Sequence, residues 1–193
     1  MHCILYKKLY LYSLVIVDNC SLLWYYKIIQ IIKIGVNLMI RVLFVCLGNI
    51  CRSPMAEFIF KDMVNKKGIS ENFYIDSAAT SNYNEIEKAG IYGEAKEMLK
   101  EMKIPFTEHI SRQIKKEDYN KFDYILAMED KNISHILKIV GDDKEDKIYR
   151  LLDFTEIPRD IADPWYSGDF YSAYYDIKYG CQKFLEYIDN KST

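Results

Sequence analysis

A cysteine and an arginine six positions apart are the residues of this chain best suited to chemistry. Cys46 and Arg52 lie in the stretch Cys-Leu-Gly-Asn-Ile-Cys-Arg-Ser, residues 46–53, between an apolar strand-like run and a helix-like segment. Backbone N–H groups at the start of a helix lack partners within the helix and carry the positive end of its dipole, so a loop wrapped onto that end binds anions. The pattern therefore predicts a socket for a phosphate-sized dianion, with a sulfur nucleophile at its floor.

The residue types in this loop suit phosphate-ester hydrolysis through a covalent thiophosphate. Helix N-termini and nearby cations stabilise a thiolate, and Cys46 would have both influences. The planar guanidinium of Arg52 matches two phosphate oxygens at once. Gly48 and Asn49 tolerate backbone angles that most residues resist. The alternative is a buried structural cysteine beside a surface arginine, a spacing that occurs often by chance, but it leaves the surrounding residues unexplained.

A thiolate alone cannot expel a poor leaving group, so the reaction needs a general acid. Asp163 is the best candidate because Pro164 fixes the backbone after it and the following Trp-Tyr pair can wall an apolar cleft. The alternative is an ordinary Asp-Pro turn. The other acidic candidates, which are weaker, are Asp153, Asp160 and Asp169.

The chain resembles the low-molecular-weight protein tyrosine phosphatases. Residues 42–57, Val-Leu-Phe-Val-Cys-Leu-Gly-Asn-Ile-Cys-Arg-Ser-Pro-Met-Ala-Glu, are similar to that family's signature almost letter for letter. Similar stretches follow in the family's order at 75–78, 109–114, 122–128 and 163–166. The resemblance extends from Met39 to about Asn190. One departure is Met128-Glu129-Asp130, where the family usually has Met-Asp.

The resemblance implies the roles of the individual residues. It makes Cys46 the nucleophile, Arg52 the phosphate ligand, and Asp163 the acid and then the base toward water. It implies hydrolysis of phosphotyrosine in proteins and of small aryl phosphates, with no cofactor and no metal. The phosphate-binding loop it implies consists of Leu47, Gly48, Asn49, Ile50, Cys51, Arg52 and Ser53.

Around that loop the resemblance implies supporting residues. Ser53, Ser77 and His109 would hold Asn49 in a strained backbone state. The aromatic walls for the substrate ring would be Tyr83 and Trp165.

Three other functions remain as alternatives. Protein-arginine phosphatases share the scaffold, but the resemblance implies that they tend to carry threonine where this chain has Ile50. Thiol-coupled arsenate reductases relay a disulfide through additional cysteines, and residues 52–180 contain none. A noncatalytic phosphate-binding module is disfavoured because nucleophile, arginine and acid are all present.

Composition narrows the class and the compartment. The 193 residues carry a net charge of −2, which argues against a nucleic-acid partner. The odd number of cysteines, their irregular spacing and a mechanism that needs a free thiol favour a reducing cytoplasm. No zinc-type spacing is present. The five cysteines are Cys3, Cys20, Cys46, Cys51 and Cys181.

From residue 40 onward, strand-like and helix-like segments alternate. The pattern predicts strands at 42–45, 73–78, 122–127 and 147–152, and helices at 54–67, 87–102, 131–140 and 170–189. Ser53 suits the N-cap of the first helix and Pro54 its first position. This alternation predicts a three-layer α/β/α fold around a parallel sheet, with the cysteine loop after strand 1. The resemblance implies four strands in the order 2-1-3-4.

Residues 1–38 do not resemble the rest of the chain, and we assign the phosphatase domain to residues 39–193. The first 38 residues hold four lysines and one aspartate, whereas the remainder holds 22 basic and 27 acidic residues. The uncharged run Leu9 to Val17 is too short to span a bilayer, and no small-residue cleavage site follows it. We expect this extension to be dispensable and translation to begin at Met39. A membrane-associated arm is the alternative.

Overall fold

The computed structural model describes residues 39–192, and its centre is a parallel sheet of four strands. The strands are β1 (Ile40–Cys46), β2 (Phe73–Ala79), β3 (Tyr124–Ala127) and β4 (Ile148–Arg150). Their order is β2-β1-β3-β4, which confirms the expected topology. Val42 of β1 lies beside Ile75 of β2 and Tyr124 of β3.

Helices connect the strands and cover the sheet. They are α1 (Arg52–Lys66), α2 (Tyr83–Ile86), α3 (Gly93–Glu101), α4 (Lys116–Lys121), α5 (Asp130–Val140), α6 (Pro164–Ser167) and α7 (Phe170–Ser192). Short 3₁₀ turns occupy Ser70–Asn72 and Leu151–Phe154. Within residues 39–192, no helix combines the length and the apolar character needed to cross a bilayer.

The two faces of β1 pack into different layers because successive side chains of a strand point to opposite sides. Val42 and Phe44 join the core formed with α1, α3 and α7. Leu43 and Val45 join the opposite core, formed with α4 and α5. Both faces of the sheet are therefore covered, as the alternation of segments predicted.

Helix α1 is held against the sheet by an aromatic cluster. The ring of Phe60 lies 5.7 Å from that of Phe44, 5.6 Å from that of Phe73 and 5.5 Å from that of Phe184, measured between centroids. Replacing a buried phenylalanine by alanine typically costs about 3–5 kcal/mol. This packing fixes the direction in which the N-terminus of α1 points, and that end forms part of the cysteine loop.

The structure corrects several predicted boundaries. The helix expected at 87–102 begins only at Gly93, because residues 87–92 form a link in which Lys88 has a φ of 50°. The strand expected at 147–152 ends at Arg150 and continues as a 3₁₀ turn. The expectations for residues 1–38 lie outside the described residues.

The first helix begins two residues earlier than predicted. Its N-cap is Cys51, so Arg52 is the first helical residue and Pro54 the third. The hydroxyl of Ser53 does not cap the helix and contacts Cys46, Asn49 and the carbonyl of Ala78 instead. Pro54 remains acceptable because the first four N–H groups of a helix have no partner within it.

Candidate active site

The loop between β1 and α1 has its carbonyl groups turned outward. All five carbonyl oxygens of residues 46–50 accept hydrogen bonds from outside the loop. The described residues contain no cis peptide bond, and in a trans peptide the N–H points opposite to the C=O. The N–H groups that follow these carbonyls therefore face the inside of the loop. The donors to the carbonyls are the backbone N–H groups of Thr80, Ser81 and Tyr92 and the side chains of Asn84, Ser111 and His109.

Asn49 is the centre of the loop's hydrogen bonds. Its φ of 53° is left-handed, and its backbone N–H points at the sulfur of Cys46, 3.2 Å away. Its side-chain Nδ2 donates to the hydroxyls of Ser53 and Ser77, both at 2.9 Å. The Nε2 of His109 donates to its carbonyl at 2.9 Å. The structure thus brings the three expected supporting residues together at Asn49.

Gly48 is needed for space rather than for an unusual backbone angle. The side-chain nitrogen of Asn84 donates to the Gly48 carbonyl at 2.9 Å. A Cβ at position 48 would lie 2.7 Å from that nitrogen. Gly48 is absent from the residues with positive φ, so the expectation based on its backbone freedom was wrong. A side chain at position 48 would push Asn84 away and disturb its hydrogen bond to the loop.

The two cysteines of the loop differ in their surroundings. The sulfur of Cys46 lies 3.1 Å from the hydroxyl of Ser53 and receives the Asn49 N–H. Burial, together with the negative charges of Cys46 and Asp163, raises the pKa of Cys51 to about 12. Burial also raises the pKa of Cys181, in the middle of α7. Cys51 and Cys181 are therefore thiols near neutral pH, and Cys46 is the described cysteine with hydrogen bonds that suit a thiolate.

Arg52 is buried and held on three sides. Its Nη1 donates to the carbonyl of Ile161 at 3.0 Å, and its Nη2 donates to Glu129 at 3.0 Å and to Asp163. Burial alone would lower the pKa of the guanidinium, but the charges of Cys46, Asp163 and Glu129 outweigh it and raise that pKa above its usual value. Arg52 is therefore a permanent cation beside the Cys46 sulfur.

Asp163 both caps a short helix and lines the pocket. Its Oδ1 accepts the backbone N–H of Trp165 at 3.1 Å and caps the short helix α6, as in an ordinary Asp-Pro turn. Its Oδ2 pairs with Arg52 inside the pocket. The weaker acidic candidates are engaged elsewhere: Asp153 and Asp160 with Arg150, and Asp169 with Ser172.

These groups line one pocket of about 270 Å³. Tyr83 and Trp165 stand at its mouth and are largely exposed, and Tyr166 lies beside them. The ring of Trp165 rests against that of Tyr92, with 4.8 Å between centroids. The residues that line the pocket are Cys46, Leu47, Gly48, Ile50, Cys51, Arg52, Ser81, Tyr83, Asn84, Asp163, Trp165 and Tyr166.

Sequence reasoning missed several residues that support the site. Ser111 and Arg112 lie within the quoted stretch 109–114, and backbone bonds fasten that stretch to the end of β2 through Ala79. Glu129, whose role the sequence left open, accepts from Arg52. No sequence signal indicated Asn84. Within residues 39–192, no group of three or more His, Cys, Asp or Glu residues is arranged to hold a metal ion.

Comparisons with known proteins identify the family and the fold. A sequence model of the low molecular weight phosphotyrosine protein phosphatases matches residues 41–193. The low molecular weight protein-tyrosine-phosphatase YfkJ of Bacillus subtilis is 41% identical over 155 residues, which cover 79% of this chain and 98% of YfkJ. Its crystal structure superposes with a TM-score of 0.75 over 80% of this chain and 98% of the solved one, at 39% identity.

Two further relatives widen the range of organisms. The human low molecular weight phosphotyrosine protein phosphatase is 42% identical over 150 residues, or 75% of this chain and 93% of the human one. The crystal structure of a drosophila arginine phosphatase matches with a TM-score of 0.67 at 32% identity, over 76% of this chain and 96% of that one. With its cysteine loop, buried arginine and matched family model, this chain belongs to the low molecular weight phosphotyrosine protein phosphatase family.

Proposed function

We propose that this protein hydrolyses phosphotyrosine in protein substrates through a phosphocysteine formed on Cys46. The observation that carries the proposal is the loop of residues 46–53, in which the carbonyls of residues 46–50 turn outward while the Cys46 sulfur, Arg52 and Asp163 line the pocket within. Such a ring of N–H groups suits the three peripheral oxygens of a phosphoryl group.

In the first step, the phosphate ester enters the loop and its oxygens bind the N–H groups and Arg52. Arg52 then exchanges its bond to Asp163 for bonds to phosphate, and the freed Asp163 carboxylate takes up a proton from solvent. The Cys46 thiolate attacks phosphorus, the bond between phosphorus and the tyrosine oxygen breaks, and protonated Asp163 gives its proton to that oxygen.

In the second step, Asp163 acts as a base instead of an acid. Water attacks phosphorus, the Asp163 carboxylate takes the proton of that water, and the bond between sulfur and phosphorus breaks. Cys46 leaves as a thiolate, which the Ser53 hydroxyl stabilises from 3.1 Å. Inorganic phosphate and the free enzyme result. The steps use no metal or cofactor.

The pocket favours a phenyl ring over shorter or bulkier groups. Tyr83 and Trp165 can stack on the substrate ring, and Ile50 narrows the wall next to the loop. Phosphoserine is too short to bring its phosphorus to the buried sulfur. We therefore expect phosphotyrosine peptides to be cleaved faster than phosphoserine and phosphoarginine peptides.

A peptide panel tests this function directly. Matched peptides bearing phosphotyrosine, phosphoarginine or phosphoserine are incubated with the protein, and released phosphate is measured, with Cys46→Ser as the control. Phosphoarginine turnover equal to that of phosphotyrosine would replace the proposed activity with the arginine phosphatase alternative.

We further propose that the protein works in the cytoplasm and that residues 39–193 suffice for activity. The reaction needs a free thiol, and Cys46, Cys51 and Cys181 are all free in the structure. The family model begins its match at residue 41. A fragment of residues 39–193 should retain the kcat/KM of the full chain, and an inactive fragment would show that residues 1–38 contribute to the enzyme.

A further inference from the structure

Glu57 is a buried carboxylate beneath the loop, and the reaction steps above do not use it. It lies one turn after Ser53 on α1 and is only 6% exposed. Its Oε2 accepts the hydroxyl of Ser77 at 2.6 Å, and its Oε1 accepts from Lys61 at 2.5 Å. A buried carboxylate is costly unless it is paired and hydrogen-bonded. Its place next to Ser77 suggests that it acts on the loop through that hydroxyl.

The direction of the hydrogen bonds between Glu57 and Asn49 is determined at both ends. An ionised carboxylate can only accept, so the Ser77 hydroxyl donates its hydrogen to Glu57. A backbone N–H can only donate, so the Asn49 atom 3.1 Å from the N–H of Arg112 must be the oxygen. The Asn49 nitrogen therefore faces Ser77 and Ser53 and donates one hydrogen to each.

This arrangement leaves the Ser53 hydroxyl with one free hydrogen. The oxygen of Ser53 already accepts from Asn49, so its own hydrogen can go only to the Cys46 sulfur at 3.1 Å or to the Ala78 carbonyl at 3.3 Å. A thiolate is the stronger acceptor of the two because it is charged. The hydrogen bonds from Glu57 through Ser77, Asn49 and Ser53 thus all run one way, and the last can end on the nucleophile.

We propose that Glu57 is a positioning residue that orients this chain of hydrogen bonds and so stabilises the Cys46 thiolate. When Glu57 no longer accepts the Ser77 hydroxyl hydrogen, that hydrogen can point at the side-chain N–H of Asn49. The two hydrogens then clash, and Asn49 turns away from Ser53. The Ser53 hydroxyl then supports the thiolate less well. This inference rests on the proposed function, in which Cys46 is the nucleophile.

Replacing Glu57 leaves the other charged groups near this chain of hydrogen bonds with their own partners. Facing the Cys46 sulfur are Arg52, with its partners Asp163 and Glu129, and the Cys51 thiol. His109 contacts the Asn49 carbonyl, and the Asp76–Arg112 ion pair lies beside Ser77. Lys61 alone loses its partner, and its side chain is 42% exposed, so its charge can turn to solvent.

Helix α1 offers a matched control for loss of a buried carboxylate. Asp62 is also buried, and it also pairs with a lysine four residues later, Lys66, at 2.6 Å. Its side chain bonds to Lys66 and does not contact the loop, so Asp62→Ala removes a comparable acid and frees a comparable lysine. An effect that Asp62→Ala and Glu57→Ala share is an effect on the helix. An effect found only in Glu57→Ala is caused by the loss of the chain of hydrogen bonds.

The test measures iodoacetamide labelling of Cys46 against pH, by peptide mass, together with kcat and KM in full-length protein. In Glu57→Ala we expect the midpoint of labelling to move to higher pH and kcat to fall on the order of tenfold. Glu57→Gln keeps an acceptor for Ser77 and should recover most of that loss. Asp62→Ala should keep both values, whatever the change in its melting temperature.

A double-mutant cycle with Ser77 makes the test sharper. If Glu57 acts through Ser77, adding Glu57→Ala to Ser77→Ala should lower kcat no further. Additive losses would overturn the inference, and so would a labelling curve in Glu57→Ala identical to that of Asp62→Ala. Failure of the wild type to cleave aryl phosphates would instead overturn the proposed function, so the two failures are distinguishable.

Discussion

The floor of the pocket is the loop of residues 46–53, in which Asn49, Arg52 and Ser53 are each at most 1% exposed, whereas at the rim Tyr83, Trp165 and Tyr166 expose 55–80% of their surface. The polar groups of the floor are held by hydrogen bonds to other elements of the fold. At the rim, Trp165 rests on the ring of Tyr92. The floor is thus already arranged for a charge that develops during the reaction, while the rim can adapt to the chain that carries the phosphate.

This difference separates the residues that set the rate of the chemical step from those that select the substrate. Because the floor's polar groups are already held in place before a ligand arrives, a change there should act on the rate of the chemical step. Because the rim has few fixed contacts, a change there should act on substrate affinity and on the choice of side chain. Four experiments test this division, from the largest expected effect to the smallest.

The first experiment removes the nucleophile. Cys46→Ser should lower kcat for p-nitrophenyl phosphate by roughly 10⁵-fold, a loss typical for a missing nucleophile. Binding of tungstate, measured by calorimetry, should persist because the loop N–H groups and Arg52 remain. Cys51→Ser is the control and should keep most of its turnover. Substantial turnover by Cys46→Ser would contradict the role of the Cys46 sulfur as nucleophile.

The second experiment separates the two roles of Asp163. Asparagine can still cap α6 but cannot donate a proton to the leaving oxygen, whereas alanine loses both roles. We expect Asp163→Asn to lower kcat by about 10²- to 10⁴-fold, with the greatest loss for phenols that leave poorly. Asp163→Ala should add a fall in melting temperature. A loss independent of the leaving group would contradict the role of Asp163 as acid.

The third experiment addresses the rim. Trp165→Ala and Tyr83→Ala should each raise the KM for a phosphotyrosine peptide about 2- to 10-fold, since aromatic pairs contribute about 0.5–1.5 kcal/mol beyond burial. The kcat should change little, because neither ring takes part in the hydrogen bonds of the loop. Inorganic phosphate inhibition is the control and should be unaffected. A fall in kcat with unchanged KM would place these rings in the chemistry and remove the distinction between floor and rim.

The fourth experiment concerns oxidation of the floor. Peroxide converts the Cys46 thiolate to a sulfenic acid, and attack by the Cys51 sulfur then forms a disulfide and releases water. Oxidation removes the negative charge of Cys46, which is one cause of the raised pKa of Cys51, so Cys51 becomes a better nucleophile at that moment. After peroxide treatment, dithiothreitol should restore activity to the wild type and less of it to Cys51→Ser. Equal recovery would leave Cys51 with a packing role.

Most of the fold could be predicted from the local sequence. The strand-loop-helix order around residues 46–53 and the alternation of strands and helices were predictable because they depend on neighbours a few positions apart. Where prediction failed, local signals were misleading. The pattern predicted a helix over residues 87–92, yet Tyr92 lies just before α3 and donates its N–H to the Ile50 carbonyl in the loop.

The sequence by itself determined which groups could do chemistry: a cysteine, an arginine and an aspartate of suitable type and spacing. Only the tertiary structure decided how they are held. Arg52 meets Asp163 across 111 positions, Asn49 meets Ser77 across 28, and Glu57 meets Ser77 across 20. The two Ser77 contacts depend on the sheet placing β1 and β2 side by side. Asp163 is brought to Arg52 by a segment that is attached next to the end of β3, through the Ile161 N–H and the Met128 carbonyl. A pattern of neighbouring residues cannot specify those partners, because their positions are properties of the packed chain.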